Sequence, residues 1–144
     1  MHTHVRQVLA KKGHEIHGVP LGTSISKAAR TMNAHKIGSV VVWSGDEVVG
    51  ILTERDLARR VCAGAIDLDA TSVEQVMTAP VAFVTPGSTV AAAMKTMSET
   101  RCRHLPVLDG GKVVGLVSLG DLVRTVTNDL AADVKYLKDY IVRG

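Results

Sequence analysis

Residues 22–57, GTSISKAARTMNAHKIGSVVVWSGDEVVGILTERDL, and residues 87–122, GSTVAAAMKTMSETRCRHLPVLDGGKVVGLVSLGDL, are one pattern written twice. A shift of 65 positions superposes them without a gap. Eleven of the 36 positions are then identical: Gly22/Gly87, Ala28/Ala93, Thr31/Thr96, Met32/Met97, Val42/Val107, Gly45/Gly110, Val48/Val113, Val49/Val114, Gly50/Gly115, Asp56/Asp121 and Leu57/Leu122. Unrelated segments of ordinary composition match at about two. Conservative pairs such as Ile25/Val90, Ile51/Leu116 and Thr53/Ser118 extend the likeness. The chain is an internal duplication, and every other feature is read in that light.

Each copy carries the same order of elements. A short extended segment (Glu15–Val19; Val81–Val84) leads through a turn at Pro20–Thr23 or Pro86–Ser88. Ser24 and Thr89 stand as N-caps, followed by helices with Ile25, Ala28, Ala29 and Met32, or Val90, Ala93, Met94 and Met97, at helical spacing. Two β-rich runs follow in each copy, Ser39–Trp43 with Glu47–Leu52 and His104–Leu108 with Lys112–Val117. Ser44-Gly45-Asp46 and Asp109-Gly110-Gly111 close them as hairpins, because glycine supplies the positive φ such turns need. A second helix opens at Thr53 or Ser118. The segment Val73-Glu-Gln-Val-Met-Thr78 before the second copy parallels Val5-Arg-Gln-Val-Leu-Ala10 before the first.

The repeats therefore run over 5–62 and 73–127, with 63–72 as linker (Gly64 stopping a helix) and 128–144 as a C-terminal helix. The fold class is α/β (α+β), two β-α-β-β-α units. A unit this small leaves one sheet face bare, so the two are expected to pack around a pseudo-twofold axis, with ligand clefts where they meet.

Composition narrows the function. Of 144 residues, 46% are apolar and 22% charged, as in a globular chain. Runs such as Ser39–Trp43 stop far short of a membrane span, and the N-terminus, with His2, His4 and Arg6, has no continuous apolar region. A soluble cytoplasmic protein is expected, with no membrane partner. Cys62 and Cys102 are too few for a disulfide framework or a zinc site and read as small core hydrophobes. His2 and His4 are expected to fray, and His14, His17 and His35 to lie on the surface; no metal site is expected. Met32, Met94 and Met97 read as core filler.

The net charge of +3 and pI of about 9.0 point weakly toward nucleic acid, but the basic residues are scattered. One Phe, two Tyr and one Trp offer little for stacking on bases, so nucleic acid is not the expected partner. Neither cysteine has an evident histidine and orienting group, and no serine sits in a nucleophile elbow. Enzymatic activity is not expected.

The motif that carries chemistry is an apolar strand with Gly, then Thr or Ser, then Asp three residues on, at the opening of a helix. It occurs as Gly50-Ile-Leu-Thr53-Glu-Arg-Asp56 and as Gly115-Leu-Val-Ser118-Leu-Gly-Asp121. Free N–H groups and the hydroxyl at a helix start can hold a phosphate. An ionised Asp one turn in accepts paired hydrogen bonds, which suits the two hydroxyls of a ribose. The same pattern is also a helix-capping arrangement, and duplication alone could preserve a cap.

With those segments, Arg101-Cys-Arg-His-Leu-Pro-Val-Leu-Asp-Gly-Gly111 and the lead-in at 73–78, the chain resembles a stand-alone tandem pair of CBS domains over about Val5–Thr127. The resemblance implies a regulatory module that dimerises into a flat disc. It also implies clefts that bind AMP, ADP, ATP, NAD or S-adenosylmethionine, with no metal required. Carried over by residue, it implies one site in which Thr53 and Asp56 face phosphate and ribose while Val81 and Ala82 line the adenine pocket. Arg103 and His104 would reach the phosphates there. In the other site Ser118 and Asp121 take the first role, Ile16 and His17 flank the base, and Arg55 supplies charge. Backbone groups at Ile37, Gly38, Ser39 and Val40, and at Cys102 to Leu105, would contact the base. Gly38-Ser39 stands where the second copy has Arg103-His104, so the Asp56 site is expected to favour longer phosphate chains. Both aspartates are expected at exposed cleft edges, where replacement by Ala leaves the fold intact.

The helix face Val123, Val126, Leu130, Val134, Leu137, Ile141 is an apolar stripe that needs cover. A homodimer is expected, and beyond it an unidentified regulated protein. Two functional readings follow: an adenine-nucleotide sensor of energy or redox state, or a purely structural dimerisation module with vestigial pockets.

Overall fold

The computed structural model describes residues 3–64 and 66–143 of the chain; His2 lies outside them. In chain order the elements are α1 (Val5–Lys12), β1 (Gly18–Pro20), α2 (Ile25–His35), β2 (Ser39–Ser44), β3 (Glu47–Thr53), α3 (Glu54–Asp56, continuing as π-helical turns over Leu57–Cys62), a 3-10 turn (Val73–Gln75), α4 (Val90–Thr100), β4 (His104–Asp109), β5 (Lys112–Ser118) and α5 (Leu119–Arg143).

Local chemistry sets the boundaries. The Ser24 hydroxyl accepts the Lys27 N–H at 3.1 Å to open α2, and Thr89 accepts the Ala92 N–H at 3.0 Å to open α4. Both helices end on a left-handed residue that is not glycine, Lys36 (φ +53°) and Arg101 (φ +55°). The hairpin turns use Gly45, Gly110 and Gly111 at positive φ, as the sequence requires. The extended segments are shorter than expected. Only Gly18–Pro20 forms a strand in the first repeat, and Val84 makes a single parallel bridge to Val107 in the second. Residues 128–143 continue a longer helix, because α5 runs unbroken from Leu119 to Arg143.

The chain divides into two compact units. One comprises Glu15–Val81 together with Gly111–Val113; the other comprises the chain up to His14, Ala82–Gly110 and the chain from Val114 onward. In the first-repeat unit, β1 pairs parallel with β2 and β2 antiparallel with β3, with a bulge between Val42 and Trp43. Its core holds Val19, Ile25, Ala28, Met32, Val40, Val42, Leu52 and Val61, closed by Val73 of the 3-10 turn and Val76 just after it. Thr78 and Ile51 exchange both backbone hydrogen bonds, at 2.8 and 3.1 Å.

In the second-repeat unit, β4 and β5 form the hairpin, and the core gathers Val84, Val90, Ala93, Met97, Leu105, Val107, Val117 and Leu122. It is closed by Val5, Val8 and Leu9 of α1. The Val5 N–H donates to the Ser88 carbonyl at 2.8 Å, and the Val90 N–H to the Thr3 carbonyl at 2.9 Å. The parallel lead-ins thus serve crosswise. The segment before the second repeat completes the first-repeat core, and α1, before the first repeat, completes the second-repeat core.

Two small expectations give way. His4 does not fray: it bridges to Thr89, and its N–H donates to Gln7 Oε1 at 2.7 Å at the start of α1. Cys62 is exposed rather than a core residue, because the π-helical turns point it outward, while Cys102 is half-buried; both thiols are free.

Candidate functional site

Each Gly-apolar-x-Thr/Ser-x-x-Asp segment folds as a strand end, a capping hydroxyl and a returning carboxylate. At the first, the Asp56 N–H donates to Thr53 Oγ1 at 3.2 Å, and Asp56 Oδ2 accepts the Thr53 N–H at 3.0 Å and its hydroxyl at 3.1 Å. The hydroxyl of Thr78 then donates to Asp56 Oδ1 at 3.0 Å. At the second, the Asp121 N–H donates to Ser118 Oγ at 3.1 Å and Oδ2 accepts the Ser118 N–H at 2.8 Å. Lys12 Nζ donates to Asp121 Oδ2 at 2.6 Å and to the Leu116 carbonyl at 2.7 Å. Both segments are reciprocal caps.

The expectation of exposed carboxylates is therefore corrected. Asp56 is 8% exposed and the Asp121 side chain 12%. The cause is the return of each carboxylate to its own cap, where Thr78 or Lys12 covers it. Burial pushes the Asp121 carboxyl up. The Lys12 ammonium and the Ser118 groups outweigh that and hold it below the ordinary value of 3.8.

Neither Thr78 nor Lys12 is legible from the motif spacing. Thr78 ends one lead-in segment and Lys12 lies just past the other, at the end of α1, and only the folded chain brings them to the motifs.

Other predicted residues group by unit. Ser39 lies opposite Thr53 in the β2–β3 register, and the Glu54 N–H donates to the Gly38 carbonyl at 3.0 Å. The His17 carbonyl accepts from Val41 at 3.1 Å, so His17 also belongs beside this strand pair. Its ring stacks on His35, with centroids 3.8 Å apart. Ser39 and Val40 are buried, Ile16, Ile37 and Gly38 half-buried, and Arg55 exposed. An open hollow of about 450 Å³ lies between α2 and α3, lined by Met32, Lys36, Ile37, Glu54 and Leu57 among others; of the predicted site residues only Ile37 reaches it.

In the second-repeat unit the Leu119 N–H donates to the Arg103 carbonyl at 2.8 Å. That bond is the counterpart of Glu54 to Gly38, and it sets the Arg103 backbone beside the junction of Ser118 and Leu119. Arg103 is exposed, His104 half-buried and Leu105 buried. Val81 and Ala82, both half-buried, lie where the division between units falls. Among the described residues no group of three or more His, Cys, Asp or Glu could hold a metal ion. No described helix is long and apolar enough to cross a membrane.

Set against known proteins, residues 5–63 and 73–128 each match the model of the CBS domain. The mitochondrial CBS domain-containing protein CBSX3 of Arabidopsis thaliana is 32% identical over 151 residues, spanning 99% of this chain and 73% of that protein. A putative signal-transduction protein with CBS domains from Burkholderia ambifaria MC40-6 superposes with a TM-score of 0.84 at 43% identity, over 88% of this chain and 96% of that one. The CBS domain pair of protein MJ0100, solved in complex with 5-methylthioadenosine and S-adenosyl-L-methionine, shares the fold at 24% identity. It has a TM-score of 0.78 over 90% of this chain and 99% of its own.

Proposed function

The chain belongs to the CBS domain family, and from that premise we propose that this regulatory pair binds an adenine nucleotide and signals energy or redox state to a partner protein. The candidate ligands are AMP, ADP, ATP and NAD. The observation that carries the reading is the recurrence of a hydroxyl and a carboxylate at the same strand-to-helix turn in both units. The adenosine-derived ligands of the MJ0100 pair support the ligand class.

The carboxylate of each motif takes the ribose hydroxyls. A carboxylate offers about four acceptor positions. Asp121 Oδ2 takes Ser118 and Lys12, whereas Oδ1 faces only Arg124 Nη1 at 3.8 Å among the described residues. Arg103 and Arg55, both exposed on or beside a first helical turn, supply charge for phosphate. The pair acts in the cytoplasm as a homodimer and catalyses nothing.

One observation favours a second reading. Both carboxylates are already engaged in caps, which is what a structural dimerisation module with vestigial pockets would retain. Native mass spectrometry of the freshly purified protein, followed by calorimetric titration with the four nucleotides, separates the two. Micromolar binding that weakens in Asp121→Asn supports the sensor. No heat from any nucleotide at millimolar concentration leaves the structural module.

A further inference from the structure

The last part of α5 stands outside both the core and the family match. Leu122 is the last fully buried residue of the helix, Val126 packs at the core edge, and the matched domain ends at residue 128. Beyond it Leu130, Val134, Leu137 and Ile141 are 57, 49, 57 and 74% exposed. A helix tail with so continuous an apolar stripe needs a partner surface to be stable in water.

The stripe has the form of heptads. With Val134 at position a, the a positions are Thr127, Val134 and Ile141 and the d positions are Leu130 and Leu137. β-Branched residues at a with leucine at d favour two strands in parallel. The charges agree. Asp133 falls at g and Lys138 at the following e, five residues on, the spacing at which a parallel partner brings g against e′. A twofold pair makes that contact twice. Antiparallel packing would instead set Asp133 toward Asp133 of the other copy.

We propose that residues 127–141 form a short parallel two-stranded coiled coil with the same segment of a second copy of this chain. The proposal rests on the homodimer reading and specifies its contact. About two heptads would not pair as free peptides. Here the buried start of α5 has already nucleated the helix, so each copy brings a formed surface to the contact.

Light scattering across a concentration series, with engineered cross-links, tests it. The full chain is expected to be a dimer, and Leu137→Glu to weaken it at least tenfold. Asp133→Lys should weaken it as well, and the double variant Asp133→Lys/Lys138→Asp should restore it. In a Cys62→Ser/Cys102→Ser background, Leu137→Cys should form an interchain disulfide on mild oxidation and Lys135→Cys, on the outer face, should not. A dimer indifferent to Leu137→Glu that gives no Leu137→Cys cross-link overturns the coiled coil and leaves the homodimer standing. A monomeric full chain overturns both, and binding of that monomer to anionic vesicles would assign the stripe to a membrane surface.

Discussion

The Lys12 ammonium lies 2.6 Å from Asp121 Oδ2, joining the end of α1 to the first turn of α5 across 109 residues of sequence. The corresponding carboxylate of the first repeat, Asp56, is met instead by the neutral hydroxyl of Thr78. Duplication has kept the cap and changed its covering group.

That difference predicts a pH dependence. Asp121 titrates below its ordinary value of 3.8 in the folded chain. A carboxylate so depressed contributes stability above its unfolded pKa and loses it as pH falls through the folded value. In Lys12→Met the opposing charge is gone, and the part of that contribution supplied by Lys12 disappears while the Ser118 hydrogen bonds remain. The parent should be more stable than Lys12→Met at pH 7, by about 0.2–1 kcal/mol for a pair this close to solvent. The gap should narrow as pH drops below about 4. Urea melts at pH 7 and pH 3 check it, and an equal gap at both would remove Asp121 from the account.

Asp56→Ala should unfold more easily than the parent, contrary to what an exposed ligand residue would do. The substitution strands the Thr53 N–H and the Thr78 hydroxyl, which the buried carboxylate now accepts. Leaving such groups unpaired costs about 1–3 kcal/mol. Asp56→Asn keeps one acceptor oxygen and should lose less. Nucleotide titrations are therefore better done with Asn than with Ala, since Ala confounds ligand loss with fold loss. A chemical melt of the Ala variant identical to the parent's would show that the cap carries no stability.

The duplicated pattern made the two hairpins, the Ser24 and Thr89 caps and most core positions legible, because each rests on local chemistry repeated in both copies. The crosswise lead-ins were not. Val5-Arg-Gln-Val-Leu-Ala10 and Val73-Glu-Gln-Val-Met-Thr78 look alike whichever core they serve, and only long-range packing sends Leu9 to the second repeat and Val76 to the first. For the same reason the partners of Asp56 and Asp121 were invisible. A hydroxyl-x-x-carboxylate spacing states that a cap can form. It does not state what will cover the carboxylate.

The packing of α1 gives a sharper stability test. A Cβ added at Gly115 would come within 2.7 Å of Leu9 Cδ2, deep in the second-repeat core. At the equivalent Gly50 it would meet the flexible side chain of Met77. Overpacking of this kind costs about 1–3 kcal/mol, and the thioether can move aside more readily than the buried leucine. Gly115→Ala should therefore destabilise more than Gly50→Ala. Leu9→Ala alone should cost about 2–5 kcal/mol. The Gly115→Ala/Leu9→Ala pair should cost less than the sum of its parts, because the cavity accepts the new methyl. Strict additivity in denaturant melts would mean that α1 does not press on Gly115.

The last prediction concerns phosphate. Arg103 is exposed, and its carbonyl accepts the Leu119 N–H at 2.8 Å, so its backbone is fixed beside the start of α5. A helix start with a neighbouring arginine favours an anion. The first repeat has Gly38 at this place, and a Cβ there would lie 3.5 Å from the Glu54 carboxyl carbon, so its local charge is acidic. Arg103→Ala should thus cost ATP and NAD one to two orders of magnitude in affinity, about 1.5–3 kcal/mol for a charge-assisted contact, and leave adenosine nearly unchanged. The resemblance implies that Arg103 serves the Asp56 site, but its bond to Leu119 favours the Asp121 motif. The loss should therefore be non-additive with Asp121→Asn, since groups sharing one ligand couple. Equal losses for adenosine and ATP would make Arg103 a structural residue, and coupling to Asp56 instead would place its phosphate at the other motif.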